Sequence, residues 1–225
     1  MLKGASFAVA GGEKIGVCGR TGSGKSTLLS CLFRLVELRA GAVAIDDVDI
    51  ATLPLATLRA ALAIIPQDPV VLSGTLRGAL DPLGKNSDAE LMGAVQEVGL
   101  ASLLEGDGLE TALTEGGQNL SQGERQLLCV ARAFLRRCSI LLLDEATASV
   151  DRHSEVAVQH LLRARADFRP TVLTIAHRLE TIVDYDKIVV LQAGVVKEFG
   201  PPQVLLSTEG GLFREMLHSS TGGGT

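Results

Sequence analysis

The apolar run Ile15-Gly16-Val17-Cys18 leads straight into Gly19-Arg20-Thr21-Gly22-Ser23-Gly24-Lys25-Ser26-Thr27, and Leu28, Leu29, Leu32, Phe33 and Val36 then recur at helical spacing. A buried strand, a glycine-rich loop and a helix in that order point to an α/β fold. The loop fits G-x-x-x-x-G-K-[ST], a phosphate-binding pattern. Its glycines let the backbone curl until successive amides face one concavity, and the residues after Lys25 open a helix whose positive end faces the same spot. Gly19 to Thr27 are therefore expected to cradle a polyphosphate. Lys25 would reach the β and γ phosphates as a point charge, and the Ser26 hydroxyl would ligate Mg²⁺, an ion that prefers oxygen. The competing reading is a glycine-rich turn that matches by chance; the strand before it and the helix after it weigh against that.

With 225 residues, 46% of them hydrophobic, the chain has enough apolar material for one large α/β domain or two small ones. Lys and Arg number 21 against 26 Asp and Glu, a net charge of −5 with no basic run. Sequence-independent binding of nucleic acid lacks its electrostatic footprint here, and no nucleic-acid partner is expected. Cys18, Cys31, Cys129 and Cys138 form no C-x-x-C pair and fall in strand-like or helical segments, which suits buried thiols in a reducing compartment. No apolar stretch approaches the roughly 18 residues that cross a bilayer. The first residues lack a signal-peptide profile, so the chain itself is expected to be soluble. Aromatic residues are scarce, with six Phe, one Tyr and no Trp.

Along the chain, residues 2–10 alternate apolar positions such as Phe7 and Val9, and Gly11-Gly12 turns into the Lys14 to Cys18 strand. Gly41 to Asp46 reads as a strand, followed by an acidic turn, a short helix over Leu55 to Ala61 and a strand over Leu62 to Ile65. The two prolines of Pro66-Gln67-Asp68-Pro69 then force an extended path, leaving Gln67 at the strand's carboxyl end, where α/β sheets place ligand groups. From about Thr75 to Cys138 the pattern turns helical. Ser87-Asp88-Ala89-Glu90 fits a capping box, Gly99 a helix stop, and Leu127, Val130, Ala131, Phe134 and Leu135 a helical stripe. Strands return at Ile140 to Leu143, before Asp144-Glu145, and at Thr171 to Ala176, before His177. Between them Val158, Leu161, Leu162 and Arg165 suggest an amphipathic helix. Lys187 to Leu191 and Val195 to Phe199 flank a hairpin turn, and the last thirty or so residues read as helical before a glycine-rich end.

Gln67, Asp144, Glu145 and His177 thus all follow strands. Asp144 stands where a phosphate-binding enzyme needs a carboxylate for its Mg²⁺ shell, and Glu145 where a group could orient or deprotonate an attacking water. A neutral His177 would hydrogen-bond the γ-phosphate or that water, and Gln67 would sense metal and water. Taken singly, each also fits a bland reading: an acidic turn, a locally satisfied histidine, a loop amide.

The order Gly19 to Ser26, Gln67, Leu120 to Glu124, Ile140 to Glu145, Ser149-Val150-Asp151 and His177 resembles the nucleotide-binding domain of an ABC transporter: Walker A, Q-loop, signature, Walker B, D-loop and switch histidine. The resemblance spans nearly the whole chain. Ile64-Ile65-Pro66-Gln67-Asp68-Pro69, Leu80-Asp81-Pro82, Gln126-Leu127-Leu128-Cys129 and Thr174-Ile175-Ala176-His177-Arg178-Leu179 are most similar to the second such domain of C-subfamily (multidrug-resistance-associated) transporters. The resemblance implies a P-loop NTPase (RecA-like) core with a mainly parallel sheet, a helical subdomain insertion and an amino-terminally truncated antiparallel β-subdomain. The expected division is residues 1–74 and 139–218 for the core, 75–138 for the helical insertion and 219–225 for a flexible tail. It further implies ATP and Mg²⁺ as cofactors, Glu145, His177 and Gln67 as catalytic residues, and Ser26, Gln67 and Asp144 around the metal. A second nucleotide-binding domain would lie head to tail, with Ser121 and Gly123 of each signature touching the other's ATP, to power export. Membrane association would come only through the transporter's transmembrane domains, at the cytoplasmic face.

Two departures qualify the resemblance. The signature is usually Leu-Ser-Gly-Gly-Gln, whereas here Gln122 and Glu124 replace its first glycine and its glutamine. The Ser-x-x-Glu spacing preserves a capping box, but a carboxylate then sits near where another domain's γ-phosphate would bind, so an impaired signature is expected. The aromatic residue that usually stacks on adenine precedes the cradle by more residues than this chain has, and Tyr185 lies far on in sequence; a truncated start is expected. The alternatives are a clamp without efficient turnover in isolation, a P-loop kinase, and a soluble ABC-type ATPase of the chromosome-maintenance or DNA-repair kind. The last usually carries a long coiled coil between its Walker motifs, and no sustained heptads occur here.

Overall fold

The computed structural model describes residues 2–66, 68–144, 169–176 and 178–221. Its elements in chain order are β1 (Lys14–Cys18), α1 (Lys25–Leu32), β2 (Ala44–Ile45), β3 (Val48–Asp49), α2 (Leu55–Ala61), β4 (Leu62–Ile65), β5 (Gly74–Thr75), α3 (Leu76–Leu80), α4 (Asp88–Glu97), β6 (Ala112–Leu113), α5 (Gln122–Leu135), β7 (Ile140–Asp144), β8 (Thr171–Ile175), β9 (Lys187–Gln192), β10 (Val195–Gly200), α6 (Pro202–Ser207) and α7 (Leu212–Thr221). They fall into two compact units. Residues 2–62, 139–144, 170–176 and 178–221 form the first, and residues 63–66, 68–138 and 169 belong to the second.

In the first unit the strand order runs β10-β9-β1-β8-β7. All of these neighbours are parallel except β9 and β10, which form an antiparallel hairpin. A parallel sheet covered on both faces needs strands that are apolar on both sides, and β1 is one. Ile15 and Val17 join Leu28 and Leu29 of α1, while Cys18 faces the opposite cluster with Ile182, Tyr185 and Phe213. The period of two repeats in β9, where Val189 and Leu191 enter the first cluster and Ile188 and Val190 the second. Gly16 is small for a reason, since a Cβ there would lie 2.7 Å from Ile182 Cδ1 and 2.8 Å from Ile188 Cδ1.

Two expectations are trimmed in this unit. Only Ala44–Ile45 of the expected Gly41 to Asp46 strand pairs, with Val48–Asp49, because Asp46 and Asp47 form the turn, at φ 50° and 63°. Two left-handed residues match the strand twist of a two-residue hairpin. Leu2 to Ala10 forms no strand and bends at Lys3-Gly4. Leu2, Phe7 and Val9 still pack against the α1 face of the sheet. Further along, the Glu198 carboxylate accepts the Leu212 and Phe213 N–H groups at 2.6 and 3.0 Å, tying β10 to the start of α7.

The second unit is mainly helical. Leu76, Ala79 and Leu80 of α3, Leu91, Ala94 and Val95 of α4, and Leu128, Val130, Ala131 and Phe134 of α5 are buried. Arg132 of α5 donates to the Ala79 and Val70 carbonyls at 2.8 and 3.1 Å. Arg77 of α3 pairs with both Asp88 and Glu110. The capping box at Ser87 and Glu90 is present, and Gly99 ends its helix at φ 81°. The helical expectation from Thr75 onward missed one strand pair, in which Gly74 and Thr75 lie against Leu113 and Ala112. Two-residue strands are too short to show alternation.

Candidate functional site

The cradle begins where β1 ends. Gly19, Gly22 and Gly24 hold φ at 150°, 78° and 112°, values closed to most side chains, so the glycines of the motif sit where the backbone needs them. Space demands two of them as well. A Cβ on Gly19 would lie 2.1 Å from the Leu191 carbonyl oxygen and 2.7 Å from Ser23 Oγ, and one on Gly24 would lie 2.9 Å from Leu2 Cδ2. The Ser23 N–H donates to the Arg20 carbonyl at 3.1 Å, and the Leu28 N–H to the Gly24 carbonyl at 2.9 Å, which joins the loop to α1.

Lys25 is 7% exposed, and its Nζ donates to the Gly19 carbonyl at 2.8 Å and the Arg20 carbonyl at 3.4 Å. The ammonium is thus held over the loop by the loop's own carbonyls. Ser23 is 4% exposed, and its Oγ has no hydrogen-bond partner among the described residues. A buried hydroxyl without a partner is costly, so the loop suits a ligand rich in acceptor oxygens. Ser26, one residue beyond Lys25, is exposed, and Thr27 is half-buried.

The sheet brings a carboxylate to the same edge. Asp144, the last residue of β7, is level with Ile175, which is level with Val17. Since β8 lies between them, Asp144 stands two strand spacings from the cradle strand, roughly 9–10 Å. A cation there would be held by the Ser26 hydroxyl, the Asp144 carboxylate and phosphate oxygens; among the described residues no group of three His, Cys, Asp or Glu gathers elsewhere to hold one. Magnesium suits that sparse protein set, because it keeps most of its water and binds phosphate. Gln67, Glu145 and His177 lie outside the described residues, as do Ser149, Val150 and Asp151 and the helix expected around Val158 to Arg165. The strands that lead to Gln67, Glu145 and His177 are present: β4, β7 and β8, with the Ala176 N–H donating to the Val17 carbonyl at 3.0 Å.

In the second unit the expected capping box opens α5. The Glu124 carboxylate accepts from both the Ser121 N–H and the Ser121 hydroxyl at 2.7 Å, and the Glu124 N–H donates to Ser121 Oγ at 3.2 Å. The carboxylate that departs from the usual signature is therefore turned back on Ser121, while Gly123 sits in the first turn. Gln126, further along α5, donates from Nε2 to the Pro66 carbonyl at 3.3 Å, linking α5 to the residue before Gln67.

All four cysteines are buried and unpaired in disulfides. Burial pushes the Cys18 thiol up to about 12, against a smaller opposing pull from Lys25, so the thiol next to the cradle stays protonated. Tyr185 is 5% exposed, and its hydroxyl lies 3.0 Å from Thr174 Oγ, which leaves it no free face for a base. One part of the site gave no signal in the sequence. The β9–β10 turn touches the cradle, where the Gly194 N–H donates to the Ser23 carbonyl at 2.9 Å.

The profile of one protein family, described as ABC transporter, matches residues 2–148. Among curated relatives, "ATP-binding cassette sub-family C member 2" of Rattus norvegicus is 49% identical over 95% of this chain, and "ABC transporter C family member 3" of Dictyostelium discoideum is 49% identical over 98%. The chain spans only 14% and 16% of their lengths. Among solved structures, one described as "Structure of a bacterial Atm1-family ABC exporter with ATP bound" aligns with a TM-score of 0.89 and 37% identity, covering 97% of this chain and 39% of that one.

Proposed function

Because the chain belongs to the ABC transporter family, as the match over residues 2–148 shows, we propose that it is an ATP-binding and ATP-hydrolysing domain that closes on a second such domain around ATP to power export across a membrane. The observation that carries the proposal is the cradle. Three glycines at positive φ, a buried Lys25 tethered to the loop and a Ser23 hydroxyl without a partner among the described residues stand together in it, with Asp144 two strands away at the same sheet edge. The C-subfamily relatives and the ATP-bound exporter support the same reading.

In this reading the cradle amides and Lys25 bind the β and γ phosphates and fix their orientation. Ser26, Asp144 and Gln67 would hold Mg²⁺, which would neutralise charge on the phosphate oxygens when bound. The Glu145 carboxylate takes a proton from water as its oxygen bonds to the γ phosphorus and the bond to the bridging oxygen breaks, with ADP leaving. His177 holds the γ-phosphate or that water, and Ser121 and Gly123 meet the partner domain's ATP. In this reading the chain is attached to the membrane's cytoplasmic face through transmembrane domains of the same transporter; among the described residues no helix is long and apolar enough to cross a membrane.

Phosphate release from the chain, compared with Glu145→Gln, tests the assignment. Loss of a proton-accepting group predicts turnover lower by roughly 10²–10⁴-fold with ATP still bound. Equal turnover in the two proteins would overturn the base, and ATP binding without turnover in either would mark a clamp.

A further inference from the structure

A phosphate cradle works only if its amides point inward, and something must hold them there. A peptide group is planar and trans, so its C=O and N–H point in opposite directions, and fixing one fixes the other. The Ser23 carbonyl belongs to the same peptide group as the Gly24 N–H. That carbonyl is gripped from outside the loop by the Gly194 N–H at 2.9 Å. The grip is itself anchored, since the Gly194 carbonyl accepts the Lys3 N–H at 2.7 Å. Packing follows the same line: an ideal Cβ on Gly24 would lie 3.7 Å from Gly194 Cα and 2.9 Å from Leu2 Cδ2, and one on Gly19 would strike the Leu191 carbonyl oxygen at the end of β9.

From this chain of backbone contacts we infer that Gly194, in the β9–β10 turn, is a positioning residue for the cradle: by holding the Ser23 carbonyl it aims the Gly24 N–H at the phosphate. The inference rests on the proposed function for the identity of the phosphate, but the orientation of the Gly24 amide is a property of the free chain. Gly194 has φ 86°, and Ala193 before it has φ 51°, so the turn is a two-residue hairpin of the type that needs left-handed backbone at both positions. A β-branched residue at Gly194 would move the turn and release the grip. Asn tolerates positive φ better and keeps the N–H.

The test compares Gly194→Val, Gly194→Asn and Glu198→Ala in the full chain. Glu198→Ala removes the carboxylate of β10 that accepts the first N–H groups of α7, and should lower stability without touching the turn. Three quantities are measured: melting temperature, the direction of the Gly24 N–H from residual dipolar couplings without nucleotide, and affinity for inorganic tripolyphosphate. The probe has no base, so it reports on the cradle alone. With one hydrogen bond at stake, Gly194→Val should turn the Gly24 N–H and weaken tripolyphosphate binding about fivefold to tenfold. Gly194→Asn should recover most of both, and Glu198→Ala should lower the melting temperature while leaving both unchanged. An unmoved Gly24 N–H in Gly194→Val would overturn the inference, as would an equal loss of affinity in Glu198→Ala. If the unaltered chain bound neither tripolyphosphate nor ATP, the proposed function would fail, and the N–H direction would still decide the role of Gly194.

Discussion

Ala193 has φ 51°, a conformation that costs an alanine about 1–2 kcal/mol. Asn reaches it more easily, so Ala193→Asn should raise unfolding stability by about 0.5–1 kcal/mol in urea titration, with the denaturant slope unchanged. Glu13 provides a pH test. Its hydrogen bond with Lys187, aided by the Ala10 N–H and opposed by partial burial, holds its carboxyl below the usual range. A lowered folded pKa adds stability above the unfolded value of about 4.5, and that stability is lost as pH falls through the folded value. Glu13→Gln should therefore melt lower than the parent at pH 7, and the difference should shrink in acid. At this scale the sequence was most readable where a motif is local: Gly19, Gly24 and Lys25 stand together, and their backbone and packing needs show in nine consecutive residues. Gly194 was legible only as a turn, because its bond to Ser23 joins residues far apart in sequence.

At the scale of elements, α5 is the sharpest case. Ser121 and Glu124 satisfy each other's N–H groups, so Ser121→Ala should cost about 0.5–2 kcal/mol of stability. Glu124→Gln should cost little, since glutamine can close the same box. Its effect belongs to function. Removing a negative charge from the signature end should strengthen ATP occlusion at the opposite site of the whole transporter; unchanged occlusion would dismiss the idea that Glu124 impairs it. Both capping boxes were visible as Ser-x-x-Glu in the sequence, and both formed. The shortened β2 and the β5–β6 pair were not, because two-residue strands carry no period and are set by the turn at Asp46-Asp47 or by a distant partner. The alternation in residues 2–10 was real as a packing signal, with Phe7 and Val9 against the core, but alternation does not supply a strand to pair with.

The whole chain divides into a sheet-centred unit that carries the cradle and Asp144 and a mainly helical unit that carries the signature box. The α/β class and the family could be read from the order of motifs, and the 0.89 TM-score to an ABC exporter agrees with that reading. This chain spans 14% and 16% of the first two relatives, so export, the second domain and the membrane contacts are parts of the proposed function. The part of the proposed function that this chain can perform alone is gripping the phosphates of ATP. Calorimetric titration with MgATP, comparing the parent with Lys25→Met, tests that claim most directly. Methionine keeps an apolar stem to pack in place of the buried lysine but removes the ammonium held by the Gly19 carbonyl. Loss of a charge-assisted contact predicts affinity lower by at least about tenfold at matched stability, and equal affinity in the two proteins would contradict the cradle as the ATP site.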